Sequence, residues 1–223
     1  MDRSNELNAT GGHGHLLGGF TTFCLLVISA LTLYRQLHTS LIESAPSSLC
    51  HRLYRISQIA VAVLILQIAL GGWTASNYAA VACTELPICE GNWAERFDLG
   101  EALTIPRGHD DYEYGVMHYE ARMSIHVLHR FGAILVLGSF IFLALNLFKS
   151  KSTQLKRYGM VLTLLVSAQF FLGVSNVVFN LPLLVAVGHN FVALCLLAST
   201  VVLMYKLKSQ DQQQAAFNTW IKG

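Results

Sequence analysis

Three histidines stand at the start of long apolar stretches in this sequence. His15, His129 and His189 each precede a run of hydrophobic residues long enough to form a membrane-spanning helix. Imidazole inside a membrane is costly unless it is paired or ligated, so its presence there points to a functional site. Two helices that lie side by side and run in the same direction can present two imidazoles to one iron, and haem accepts histidine as an axial ligand. The pattern therefore predicts a haem between His129 and His189.

Other side chains compete for these roles. A single histidine at a helix end is more often an interfacial residue than a ligand, but three matching placements weaken that reading. His126 lies three residues before His129 on nearly the same helical face, so it is an alternative ligand, as His13 is for His15.

Arg122 and Arg130 flank the start of the helix that carries His129, where they could pair with haem propionates or extend to lipid head groups. Three methionines are further candidate ligands that do not recur in the repeat: Met117, Met123 and Met160.

The elements that position these residues are apolar helices. Of the 223 residues, 53% are hydrophobic and 13% are charged, whereas a soluble domain carries about 25% charged residues. No stretch shows the polar and apolar alternation of a membrane β-barrel. Crossing a bilayer takes roughly 20 helical residues, and five stretches reach that length: 15–34, 56–78, 125–148, 159–180 and 184–205. We therefore expect an all-α integral membrane protein with five transmembrane helices and a lipid bilayer, not a nucleic acid, as its partner.

The distribution of positive charge predicts how these helices are oriented. Ten of the fifteen lysine and arginine residues fall on the side of the membrane that carries 35–55, 149–158 and 206–223. Because cytoplasmic segments are enriched in these residues, we expect the C-terminus in the cytoplasm and the loop 79–124 outside. The predicted location is the cytoplasmic, or inner, membrane, with the chain crossing it several times.

Two cysteines lie in the outer loop. Cys83 and Cys89 are separated by five residues, and on the outer side of the membrane such a pair normally oxidises to a disulfide. The CxxC spacing of zinc sites is absent. A structural disulfide is the favoured interpretation, with a redox role as the alternative.

The sequence also repeats itself. The segment Gln67-Ile-Ala-Leu-Gly71 matches Gln169-Phe-Phe-Leu-Gly173, and each is followed by a loop and a helix that opens with a histidine. Repeats of this kind are common in membrane folds. The first helix, which opens with His15, has no repeat partner, so the chain is organised like part of a larger symmetric protein.

Several motifs together resemble the haem A synthase family, as it occurs in proteobacteria and mitochondria. They cover most of the chain and comprise Gly14–Thr22, Leu70–Ala80, Ala82–Trp93, Tyr112–Val116, Glu120–Arg122 and Ile125–Ala133.

The resemblance implies a division of the chain. The family has eight helices in two similar halves, and this sequence matches its fourth helix and its second half. Residues 1–55 would then hold a remnant helix of the N-terminal half and a cytoplasmic loop. Residues 56–205 would form a four-helix haem-binding bundle, and 206–223 a cytoplasmic tail. The first three helices of the family, with their cysteine loop and the partner histidine of His15, have no counterpart here.

The resemblance also implies roles for residues. His129 and His189 match the pair that binds haem b in the second half. His15 matches a histidine of the first half, where the substrate haem binds, and it would ligate a second haem iron only with the other half present. Cys83 and Cys89 match the second-half cysteine pair, while His126 and Arg130 remain candidate contacts of the cofactor.

The implied activity is that of an oxidoreductase acting on a methyl group, which converts haem O to haem A for cytochrome oxidase assembly. The implied partners are haem O, a haem O synthase and an N-terminal half, and a homo-oligomer is compatible with the sequence.

Two alternative functions remain open. The first alternative is a non-catalytic haem b subunit for electron transfer in the membrane. The second is a transporter or assembly factor without haem, which the lack of intramembrane carboxylates disfavours.

Overall fold

The fold consists of helices and the turns that join them. A computed structural model describes the backbone of residues 9–37, 46–106 and 115–222, and the side chains of 14–34, 46–106 and 115–210; part of the predicted outer loop, 107–114, lies outside these ranges. Five long helices were found: α1 (Ala9–Leu37), α2 (Ser47–Ser76), α4 (Tyr119–Phe148), α5 (Thr153–Val178) and α6 (Leu183–Lys222). Between α2 and α4 lie a 3₁₀ turn (Ala79–Val81) and a short helix, α3 (Leu99–Ala102).

All five long helices are long and apolar enough to cross a membrane. No strand occurs in the described residues. The prediction of an all-α integral membrane protein with five spans is therefore confirmed.

Four of the helices close into a ring. α2 packs on α4, α4 on α5, α5 on α6, and α6 again on α2, while α1 packs on α2 and α6 from outside the ring. The short connections 149–152 and 179–182 make α4, α5 and α6 antiparallel neighbours, and α2 packs on α4 although the long stretch 77–118 joins them. As a consequence α4 and α6, which run in the same direction, face each other across the diagonal. We expected these two helices side by side, and the structure corrects this.

Large apolar side chains fill the ring, and others cover its outer surface. Phe140, Leu143 and Leu196 are fully buried, whereas Leu66 and Leu164 expose 70% and 65% of their surface. Exposed leucines of this kind suit contact with lipid, which is as apolar as the protein core. The core thus holds the ring together along its length.

The helices extend past the predicted bounds at their polar ends. α2 begins at Ser47, directly after Pro46, and not near residue 56. α6 continues to Lys222, well beyond residue 205. Hydropathy detects the part of a helix that crosses lipid, whereas the backbone hydrogen bonds of a helix can continue into water. The stretch 77–118 joins α2 to α4, and we call this end of the ring the loop end.

Candidate functional site

His129 is seated on the backbone of the neighbouring helix. Gln67 of α2 donates from Nε2 to the His129 carbonyl at 2.9 Å, and the same nitrogen lies 3.0 Å from Nδ1 of the ring. One helical turn further along α2, a Cβ on Gly71 would lie 3.0 Å from Cε1 of His129. The imidazole therefore rests where only a glycine leaves room. We call Gln67, Gly71 and His129 the first cradle.

His189 has a corresponding glutamine and glycine in the other half of the ring, but the glutamine lies closest to a different ring nitrogen. Gln169 of α5 places Nε2 at 3.1 Å from Nε2 of His189. A Cβ on Gly173 would lie 3.3 Å from Cε1 of the ring. Gln169, Gly173 and His189 form the second cradle, so the repeat in the sequence is also a repeat in space.

The two cradles lie near each other in the ring. The imidazoles of His129 and His189 are close enough to interact electrostatically. Three polar atoms of the cradles are buried without a hydrogen-bond partner, namely Oε1 of Gln67, Oε1 of Gln169 and Nδ1 of His189. Buried polar groups are nearly always satisfied. Of these atoms only Nδ1 of His189 could ligate a metal, because the two amide oxygens would need a hydrogen-bond donor.

The donor set constrains which group would fit. No cluster of three or more His, Cys, Asp or Glu side chains suited to a bare metal ion occurs in the described part of the chain. Two imidazoles alone suit a metal whose remaining positions are filled by a macrocycle. The residues present therefore fit a haem with two histidine ligands better than they fit a free ion.

His126 has different surroundings from His129. Its side chain is buried and contacts the backbone of Ala79 at the loop end, and its Nδ1 has no partner. His129 and His189 each lie against a glutamine and a glycine of a neighbouring helix, whereas His126 lies against Ala79. His126 belongs to the contact between α4 and the loop end.

The remaining predicted ligands lie elsewhere. His15 is exposed on α1, which is outside the ring, and the side chain of His13 lies outside the described residues. Met117 and Met123 are buried in apolar clusters at the loop end, and Met160 is exposed. The structure thus brings together His129 and His189 but does not bring His15 to them.

The predicted cysteine pair forms a covered disulfide. Cys83 is joined to Cys89, and the two residues expose 1% and 7% of their surface. They pack with Met123 and Val127 of α4, beneath Trp93. The loop 83–89 is therefore fastened to the helix that carries His129.

Arg130 faces this loop. Its guanidinium donates to the carbonyl oxygens of Cys83 and Glu85 at 2.9 and 2.6 Å, with a longer contact of 3.4 Å to that of Pro87. The predicted role for Arg130 was a contact with the cofactor. In the structure its partners are the loop carbonyls.

A carboxylate organises the end of the same loop. The Thr84 hydroxyl and backbone N–H, the latter at 3.0 Å, donate to Oε1 of Glu90. The hydroxyl hydrogen bond is the main reason that the pKa of Glu90 falls to about 2. Glu90 is therefore ionised at neutral pH, and its hydrogen bonds hold the loop closed.

Hydrogen bonds also fasten α3 to the ring. Trp73 of α2 donates from Nε1 to the Ala102 carbonyl at 2.9 Å. The Asp98 N–H donates to the Ser124 hydroxyl of α4 at 2.8 Å. The loop end is thus held to both helices that form the first cradle.

The site includes residues whose roles the sequence analysis did not assign. Gln67, Gly71, Gln169 and Gly173 were recognised as a repeat but not as partners of the histidines. The signal was present, because a glutamine and a glycine four residues apart share one helical face. Which helix that face would meet became clear only from the packing.

The chain is similar to proteins of known family. The model of the COX15-CtaA family, described as cytochrome oxidase assembly protein, matches residues 5–201. A heme A synthase of Shewanella oneidensis is 45% identical over 194 residues, covering 86% of this chain and 57% of that protein. A heme A synthase of Flavobacterium psychrophilum is 28% identical and covers 86% and 52%, and that of Rickettsia prowazekii is 25% identical and covers 69% and 42%. The chain spans about half the length of these curated relatives.

Proposed function

The chain belongs to the COX15-CtaA family, that of the haem A synthases, and on this premise we propose that it takes part in oxidising the methyl group of haem O to the formyl group of haem A. The observation that carries the proposal is the pair of cradles, in which a glutamine and a glycine one turn apart lie against each histidine. The product would serve cytochrome oxidase assembly. Haem O and the lipid bilayer are its proposed partners, with a haem O synthase and an N-terminal segment as further ones.

The proposed role of the cradles is to hold a haem b. His129 and His189 would supply both axial ligands, and a haem held in this way supplies one-electron transfer, which an oxidative hydroxylation of haem O requires. Gln67 and Gln169 contact the imidazole rings and so fix their orientation, a role that outer partners of metal-ligating histidines commonly have.

His129, and not His126, is the proposed ligand on α4. The support comes from symmetry, because His129 and His189 have the same kind of partners in equivalent places. His126 would instead position the loop end. His15 is proposed to bind the substrate haem, and only together with an N-terminal segment that supplies a second histidine.

The proposed location is the cytoplasmic membrane, with the loop end outside. The excess of lysine and arginine at the opposite end supports this orientation. The disulfide at the loop end is consistent with an oxidising compartment.

A visible spectrum tests the haem site. We expect the full chain, purified in detergent, to show a low-spin haem b, and the combined His129→Ala and His189→Ala variant to lose it. His126→Ala is the matched control on the same helix and should keep the spectrum. A wild-type chain without haem, or a double variant that retains it, would contradict the proposal.

Product formation separates the proposed enzyme from the non-catalytic alternative. The chain would be expressed in a host that makes haem O but lacks haem A synthase, alone and together with the N-terminal half of the Shewanella relative. Mass spectrometry of extracted haem should detect haem A in at least one of the two. Haem b in the chain without haem A in either case would favour an electron-transfer subunit.

A further inference from the structure

Arg130 links the residue next to a proposed haem ligand to the disulfide loop. It follows His129 directly on α4, and its guanidinium donates to the carbonyls of Cys83 and Glu85 and approaches that of Pro87. All three acceptors lie within the loop closed by the Cys83–Cys89 disulfide. Arg130 therefore fixes the position of the disulfide loop relative to the turn of α4 that carries His129.

The charge on Arg130 has an unusual environment. The side chain is half-buried, and its hydrogen-bond acceptors are neutral main-chain carbonyls. The nearby Glu90 carboxylate attracts the guanidinium electrostatically, and it accepts a hydrogen bond from the Thr84 N–H. Arg130 directly follows His129, so its positive charge is carried by the same turn of α4. A charge held at a fixed place near a site of low dielectric has a stronger effect than one in water.

We propose that Arg130 is a positioning residue that ties the disulfide loop to the His129 turn and, through its fixed positive charge, raises the reduction potential of the haem held there. The inference rests on the proposed function. A nearby cation favours the state of the haem with one more electron, so loss of the cation makes reduction harder. The disulfide contributes because it keeps the carbonyls that hold the guanidinium in place.

The first test is a potentiometric titration of the haem in the purified full chain. Arg130→Gln, which removes the charge, should shift the midpoint potential to a more negative value. Arg130→Lys, which keeps the charge but not the planar fork, should shift it less. The matched control is Arg96→Gln, because Arg96 donates to the Glu90 carbonyl at 3.1 Å next to the same loop but does not lie on α4. We expect its potential to equal that of the wild type.

The second test asks whether Arg130 and the disulfide act as one unit. If they do, the combination of Arg130→Gln with Cys83→Ala and Cys89→Ala should shift the potential no further than the larger of the two separate shifts. A second readout needs no haem: the disulfide in Arg130→Lys and Arg130→Gln should be reduced by a soluble phosphine at least several-fold faster than in the wild type.

The outcomes separate this inference from the proposed function. A wild-type chain without haem would overturn the proposed function. A haem whose potential is the same in wild type, Arg130→Lys and Arg130→Gln would overturn the role of Arg130 alone. Equal shifts in midpoint potential for Arg130→Lys and Arg130→Gln would show that the charge is not the cause. Additive shifts for Arg130→Gln and the cysteine changes would show that the loop acts separately from Arg130. Either result contradicts the inference.

Discussion

At the residue scale, two glycines determine how closely a helix approaches each histidine. Gly71 and Gly173 lie one turn after Gln67 and Gln169, and each presents bare backbone to an imidazole. A methyl group added at Gly71 would stand 3.0 Å from the His129 ring. This is closer than ordinary van der Waals contact, so the ring or the helix would have to move.

We therefore predict that Gly71→Ala weakens haem binding. Overpacking a close contact costs about 1–3 kcal/mol, and about 1.4 kcal/mol corresponds to a tenfold change in affinity. A loss of roughly tenfold is expected, with a smaller loss for Gly173→Ala, whose added methyl group would lie at 3.3 Å. Haem titration of the purified apo-protein, followed by its absorption spectrum, measures this.

Gly138→Ala is the control for that prediction. Gly138 also lies in a long helix of the ring, but a Cβ there would meet nothing within 4 Å. The affinity of the Gly138→Ala variant for haem should match that of the wild type. Equal affinities for Gly71→Ala and Gly138→Ala would show that the close contact at His129 does not position a ligand.

The sequence predicted the histidines of the site but could not decide between neighbours. His126 and His129 are three residues apart on one helix, and periodicity alone places both on nearly the same face. Their difference comes from other elements, since Gln67 lies against one ring and Ala79 against the other. Partners on a second helix are a matter of packing, which one sequence does not specify.

At the scale of elements, the disulfide loop is shielded by the side chains packed on it. Trp93 packs against the cluster that holds Cys83 and Cys89, and its ring lies 6.3 Å from the ring centres of both Phe97 and Phe131. With 1% and 7% of their surface exposed, the two cysteines offer a reductant little access. The burial supports a structural role for the disulfide over a redox role.

We predict that the disulfide of the folded chain resists reduction and that Trp93→Ala removes this protection. Reduction by a soluble phosphine, followed by alkylation and mass measurement of the intact chain, should be at least several-fold faster in the variant. Leu103→Ala is the control, because Leu103 lies in the same stretch between α2 and α4 but is 66% exposed. Equally fast reduction in wild type and Trp93→Ala would instead favour an accessible redox pair.

The existence of the helices was predictable, whereas their ends were not. Long apolar runs are a strong signal for a membrane span. The start of α2 at Ser47 was missed because residues 47–55 include polar and basic side chains such as His51, Arg52 and Arg55. These residues form regular helix beyond the apolar core, where hydropathy gives no signal.

At the scale of the whole molecule, the ring arrangement explains why two distant segments form one site. Each long helix of the ring packs on its neighbour in the chain, and this places the first cradle on α2 and α4 and the second on α5 and α6. The internal repeat predicted two equivalent units. It did not predict that α4 and α6, which carry the two histidines, would lie diagonally opposite, because the order of helices around a ring depends on how all of them pack.

The orientation of the ring in the membrane is a prediction about the whole molecule. Ten of fifteen lysine and arginine residues lie at the end opposite the loop end, and such residues favour the cytoplasmic side. A cysteine introduced by Ala94→Cys, at an exposed position of the loop end, should react with a membrane-impermeant maleimide on intact cells. Lys151→Cys, exposed at the opposite end, should react only after the membrane is permeabilised.

The parent chain provides the baseline for this labelling, since Cys83 and Cys89 are joined, Cys50 is fully buried, and the free cysteines Cys24 and Cys195 are partly buried within helices. If Lys151→Cys were labelled on intact cells and Ala94→Cys were not, the loop end would face the cytoplasm. The disulfide loop and Arg130 would then lie in a reducing compartment, where a disulfide is rarely maintained. The expected pattern instead places the disulfide loop on the oxidising side, where the loop that holds Arg130 can stay closed.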